Sequence, residues 1–117
     1  MKYASSIPTS TYGLSFGQAL AHLKGGYRVQ REGWNGSNQW LSVSNINSQD
    51  VPAERFWSPH NREYAERNGG SALVMPCITI KNAQGQIQMG WVPSQGDLFA
   101  EDWVVLDDVV SNTESPD

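Results

Sequence analysis

One helix in this chain has both of its ends written into the sequence, and it limits what the rest can become. Ser15-Phe16-Gly17-Gln18 has the Ser-x-x-Gln form of a capping box, in which each end's side chain satisfies an exposed N–H of the other. Phe16, Ala19, Leu20 and Leu23 follow at i, i+3, i+4 and i+7, one apolar stripe of a helix. Gly25-Gly26 ends it, because glycine accepts the left-handed backbone found just past a helix terminus. A single stripe of this kind buries its apolar side only against a second layer.

The later segments supply that layer as short strands. Tyr27 to Gln30 alternates, with Tyr27 and Val29 on one face and Arg28 and Gln30 on the other. Arg31 to Ser37 is turn-rich, and Asn35-Gly36 suits a chain reversal. Gln39 to Ser44 is the next strand, facing the core through Leu41 and Val43. Residues 45–72 read as a polar insertion without strand alternation. In it, Ser58-Pro59 predicts an N-cap with proline at the first helical position, a helix over His60 to Arg67, and a stop at Asn68-Gly69-Gly70. Leu73 to Lys81 is an apolar run broken by Pro76, which argues for an edge or a bulge there. Asn82-Ala83-Gln84-Gly85 turns the chain, so residues 77–92 form a hairpin. Ser94 and Asp97 cap a short helical turn, and Trp103 to Leu106 is the last strand. The expected fold is α+β: one small domain over residues 15–106, mostly antiparallel sheet, with the N-terminal helix on one face and a helical insertion at 45–72. Residues 1–14 read as a flexible lead-in and 107–117 as a disordered acidic tail.

Composition removes several classes of function. Lys and Arg number 8 against 12 Asp and Glu, a formal charge of -4. The tail holds Asp107, Asp108, Glu114 and Asp117 and no base, so the body is formally neutral. A long nucleic acid calls for a basic face, and none is present. One cysteine, Cys77, excludes an intramolecular disulfide scaffold. No run reaches the ~20 apolar residues of a membrane helix, and the N-terminus lacks a signal-peptide core, so the expected location is cytosolic.

A catalytic set is missing. His22, off the main stripe, reads as a partly exposed helix residue, and His60 as surface. Two histidines and one cysteine do not make a zinc site. Cys77 reads as a small core residue, and the adjacent Glu101-Asp102 point to different sides, a poor acid–base dyad and more plausibly a surface turn or cap. The chain is therefore read as a binding protein, not an enzyme, with no cofactor or metal. Five tryptophans are many for 117 residues, and indoles serve as core, interface or stacking platform. Trp34 with Asn35 on a glycine-framed turn, and Trp91 just before Ser94, Gln95 and Asp97, suit a nucleobase and its ribose; Arg28 and Arg31 would neutralise phosphate. Trp40 and Trp103 read as packing residues, Trp103 between subunits, and Trp57 stays unassigned. The alternative is an oligomeric structural or protein-interaction module whose tryptophans cement subunits.

Two blocks of residues resemble a known family. The first is Ser15-Phe16-Gly17-Gln18-Ala19-Leu20 with Lys24-Gly25-Gly26-Tyr27-Arg28-Val29 running into Arg31-Glu32-Gly33-Trp34-Asn35-Gly36. The second is Pro76 to Gly85 followed by Trp91-Val92-Pro93-Ser94-Gln95-Gly96-Asp97-Leu98-Phe99-Ala100-Glu101-Asp102-Trp103. Together, over residues 15–43 and 73–106, they resemble the second type of Thoeris anti-defence protein, a family of small phage proteins. The resemblance implies a homotetrameric sponge in the cytoplasm of the infected bacterium. Such a sponge sequesters a glycocyclic ADP-ribose signal of the Thoeris system without cleaving it, and some members also hold cyclic dinucleotides at a separate site. The chain departs from the compact family pattern at residues 45–72, at both termini, and at Gly90 and Gly96, where Pro or Val and Thr respectively are more usual. These departures leave open how accessible the pocket is and whether Arg55, Trp57 or Arg62 joins it.

Overall fold

Helix α1 (Phe16–Lys24) begins with the capping box in place: Ser15 Oγ accepts from the Gln18 N–H, and Gln18 Oε1 accepts from the Ser15 N–H at 2.9 Å. It ends at Gly25, and Gly26 carries the positive φ of 94°. The structure is a computed structural model and describes residues 10–34 and 36–107. Asn35, the N-terminal part of the lead-in and all of the acidic tail after Asp107 lie outside the described residues.

The fold is α+β. A five-stranded sheet has the order β6-β5-β2-β1-β7, built from β1 (Val29–Arg31), β2 (Trp40–Ser44), β5 (Cys77–Lys81), β6 (Ile87–Met89) and β7 (Trp103–Val105). Val29 lies opposite both Leu41 and Val105, so the period of two puts these three on one face. Helix α1 packs against β1 and β7, and Leu14, Ala19, Leu23, Val29, Leu41 and Trp103 are the centre of the core. Short α3 (Gln95–Phe99) also packs on α1.

The stretch 44–77 is a separate compact unit. It holds α2 (Pro59–Arg67), capped by Ser58 with Pro59 at the first position as the sequence predicts. It also holds β3 (Asp50–Pro52) and β4 (Ser71–Leu73), paired antiparallel with Val51 opposite Ala72. Those two strands correct the reading of residues 45–72 as strand-free; three residues are too few to display an alternation. Pro76 is corrected too. It lies between β4 and β5, so the apolar run is two strands, and β5 sits inside the sheet. A residue without an N–H separates the strands and leaves each ladder whole.

Two further expectations change. His22 is fully buried, not partly exposed. The covered face of α1 is wider than the four-residue stripe, and Tyr27 closes its flank, the rings meeting edge-on at 5.8 Å. Trp103 is fully buried within this chain's own core, so it is not a residue that packs between subunits. The lead-in is also tied down before the helix: Leu14 is buried and bridges to Trp103, and the Val105 N–H donates to the Thr11 carbonyl at 2.8 Å.

Candidate functional site

Three of the five tryptophans meet. Trp34 and Trp103 have ring centroids 5.4 Å apart at 80°, Trp91 and Trp103 6.4 Å at 82°, and Trp34 and Trp91 6.3 Å at 63°. Each pair is edge-to-face, the arrangement the ring quadrupole favours. Trp103 is the buried base of the trio, while Trp34 and Trp91 are half-buried and so keep part of their surface to solvent.

Local sequence explains how each ring gets there. Beyond β6, the N–H groups of Gly90 and Trp91 both donate to the Ile78 carbonyl, at 3.1 and 2.8 Å. Gly90 has φ 81°, and two residues facing one with a left-handed glycine first is a β-bulge. The bulge kinks the strand and turns Trp91 toward the other rings, which accounts for glycine at position 90. Trp34 follows β1, where Arg31 is opposite Trp103 on the helix-covered face. Its N–H donates back to the Arg31 carbonyl at 3.3 Å. Helix α3 starts with a second capping box, Ser94 Oγ accepting from the Asp97 N–H at 3.0 Å and Asp97 Oδ2 from the Ser94 N–H at 2.9 Å.

Beneath the rings lies a charged clamp. Arg31 donates through Nη1 to Asp97 Oδ1 and through Nε to Asp102 Oδ1, both at 2.9 Å. Asp97 Oδ1 also accepts the Trp34 Nε1–H at 3.1 Å, and Asp102 Oδ2 accepts the Gly33 N–H at 2.8 Å. Burial pushes the Asp97 carboxyl up, but bonds from the Ser94 backbone, Arg31, Trp34 and the Ser94 side chain outweigh it, and its pKa is held below the ordinary value. Asp102 is lowered chiefly by Arg31, and Arg31 is raised by Asp102 first and Asp97 second. Both carboxylates and the guanidinium stay ionised, leaving one net negative charge.

The structure thus brings Trp34, Trp91, Ser94, Gln95, Asp97 and Arg31 into one neighbourhood, with Ser94 and Gln95 exposed. It does not bring Arg28 there. Arg28 and Arg31 are three apart on an extended segment and so face opposite sides of the sheet. Arg28 lies over the Trp40 ring at 5.3 Å and holds Asp107 through Nε at 2.9 Å and Nη2 at 2.6 Å. Asp107 is therefore anchored by Arg28, which departs from its placement in the tail. Asp102 is the residue that motif reading missed; its link to Arg31 follows from the pairing of Arg31 with Trp103, which sets Asp102 beside the Trp34 loop. Gly96 is free of crowding, since a Cβ there would come no nearer than 3.6 Å, to Ser94 Oγ.

The second unit has a recess of its own, about 330 Å3, walled by Phe56, Tyr64, Ala72, Leu73 and Val74 with Asn61 at its side. Trp57, in the same unit, is 92% exposed. Among the described residues no group of three or more His, Cys, Asp or Glu side chains is placed to hold a metal ion, and no helix is long and apolar enough to cross a membrane.

Comparison with known proteins identifies the family. Residues 14–106 match the Thoeris anti-defense 2-like domain. The chain belongs to the Thoeris anti-defense 2-like family. The relative named Thoeris anti-defense 2, from Bacillus phage SP01, is 41% identical over 93 residues, covering 80% of this chain and 94% of the relative. The Thoeris anti-defense 2-like match contains the tryptophan trio, both capping boxes and the whole clamp. It stops at residue 106, so the Arg28–Asp107 pair joins the family's domain to a residue outside it.

Proposed function

We propose that this protein is a phage anti-defence sponge that captures a small cyclic nucleotide of the glycocyclic ADP-ribose class and so silences Thoeris immunity in the cytoplasm of the infected bacterium. Family membership supports the anti-defence role. The observation that carries the ligand reading is the Trp34–Trp91 pair: two half-buried indoles on a buried third, with exposed Ser94 and Gln95 shortly after Trp91 in the chain. Stacking on a π-face plus hydrogen bonds to ribose hydroxyls or base edges suits a nucleotide. Asn35 belongs to the same proposal by its place in the sequence. A phosphate meeting Arg31 would share that guanidinium with two carboxylates, and one meeting Arg28 would lie on the other face of the sheet; the rings with Ser94 and Gln95 therefore carry the recognition.

Capture without cleavage fits a site whose ionisable groups are already paired with one another. It also requires tight binding, because the mechanism is stoichiometric; nanomolar affinity corresponds to roughly 12 kcal/mol. Assembly into a homotetramer is part of the reading. It is supported by large apolar side chains left open to solvent in the segment that follows β5, such as Val92 at 77% and Phe99 at 81%. A separate site for cyclic dinucleotides is a further part of the family's implication.

A thermal-shift panel of cyclic ADP-ribose isomers and cyclic dinucleotides tests this. A ligand at a hundred times its Kd adds about 2.7 kcal/mol, which raises Tm by roughly 10–20 °C in a domain of this size. Denaturing the complex should then return the ligand intact. Recovery of a cleaved product would make the protein an enzyme. No shift with any member, together with subunit dissociation on Trp34→Ala, would favour the structural module.

A further inference from the structure

Asp97 is bonded from every side. Its Oδ1 accepts Arg31 Nη1 at 2.9 Å and Trp34 Nε1 at 3.1 Å, and its Oδ2 accepts the Ser94 N–H at 2.9 Å. Its own N–H donates to Ser94 Oγ at 3.0 Å, and its carbonyl accepts Trp103 Nε1 at 3.1 Å. One residue therefore takes two of the three indole N–H groups, Trp34 through its side chain and Trp103 through its backbone. The side chain is 11% exposed. A carboxylate oxygen has about two lone-pair sites, so Oδ1 is filled and little of Asp97 is left for a ligand.

We propose that Asp97 is a positioning residue of the nucleotide site: it fixes the Trp34 ring through the indole N–H and does not touch the ligand. This rests on the Trp34–Trp91 surface being the ligand's wall. The torsion that turns an indole about its Cβ–Cγ bond is broad and roughly two-fold. Edge-to-face packing on Trp103 restricts it by shape, and the bond to the carboxylate adds a directional constraint on the N–H edge. The carboxylate distinguishes the edges and selects one orientation. Arg31 holds that carboxylate in place and is itself held by Asp102, which also fastens the loop at Gly33. A wall fixed before the ligand arrives spares the cost of ordering it on binding.

A double-mutant cycle with Asp97→Asn and Trp34→Phe tests the assignment, using the cyclic ADP-ribose isomer that most stabilises the wild type. Each single variant should weaken binding about ten- to hundredfold, and the double variant should bind no more weakly than the weaker single. Additive losses, or an Asp97→Asn affinity equal to wild type, would overturn the proposal. The unliganded protein gives a separate reading. Asp97→Asn should alter the near-ultraviolet circular dichroism when Trp34 is present and leave it unaltered in the Trp34→Phe background. An unaltered spectrum in both backgrounds would also sink it. Should Asp97→Asn not fold, the Trp34 Nε1–H resonance of the wild type reads the contact directly: protection from exchange is expected, and fast exchange refutes it. If no isomer binds the wild type, the nucleotide reading has failed, and the spectra still decide whether Asp97 orients Trp34.

Discussion

Leu14 and Trp103 exchange both of their backbone hydrogen bonds, at 3.0 and 3.1 Å, across almost the whole length of the domain. The pairing brings a buried leucine against the floor of the tryptophan trio, so the segment before α1 is structural. Leu14→Ala is expected to cost about 2–4 kcal/mol, through lost burial and a residual cavity. Urea denaturation checks this; a loss below about 1 kcal/mol would show that the segment merely lies on the surface.

His22 should make the fold acid-sensitive. Burial holds its pKa below the ordinary 6.5, the Ser10 backbone offsetting this only in part, and among the described residues neither ring nitrogen has a hydrogen-bond partner of good geometry. The unfolded chain takes up a proton near pH 6.5 while the folded chain resists. Stability is therefore full above that pH and declines as pH falls toward the lowered folded pKa. An NMR titration of the His22 ring should give a midpoint below 6.5, and one at or above it refutes the assignment.

The clamp carboxylates act in a different window. Their folded pKa values lie below the ordinary 3.8, so their contribution is present above that value and lost as pH falls through the folded pKa. Asp102→Asn is expected to lower stability by about 1–2 kcal/mol at pH 7. Its deficit relative to wild type should shrink only below about pH 4. A deficit that already closes between pH 7 and 5 would mean that Asp102 is not held ionised by Arg31.

Gly33 stands where a side chain has no room. A Cβ there would lie 2.7 Å from Asp102 Oδ2, and that carboxylate is fixed by Arg31 and by the Gly33 N–H. Gly33→Ala should push Asp102 off the loop, destabilising the protein by about 1–2 kcal/mol and weakening ligand capture. Gly96→Ala, facing open contacts of 3.6 Å or more, is the control and should leave the melting temperature within a few degrees.

What the sequence disclosed follows the range of the forces involved. Helix α1, helix α2 and the β5–β6 hairpin were legible because their signals are local: Ser15 with Gln18, Ser58 with Pro59, and a turn at Asn82 to Gly85. The gathering of Trp34 and Trp91 with Ser94 and Gln95 could be anticipated from motif context. The clamp could not, since Arg31 meets Asp97 and Asp102 across 66 and 71 residues of chain. Burial of His22 and Trp103 was hidden for the same reason, each being covered by segments distant in sequence or beyond the helical stripe. Strands β3 and β4 are simply too short to carry a period.

The two rims of the large sheet differ in a way that limits how it can grow. Along β7 the outward N–H and carbonyl of Trp103 and the N–H of Val105 are taken up by Leu14 and Thr11. Along β6 the residues Ile87, Gln88 and Met89 are all exposed and carry no charge, so only the strand's shortness and the bulge at Gly90 discourage another strand from joining. In the language of polymer chemistry, among the described residues β6 is the more reactive end of the sheet. A joining strand would meet β6 before β7, where the outward N–H groups of Trp103 and Val105 are already bonded within the chain.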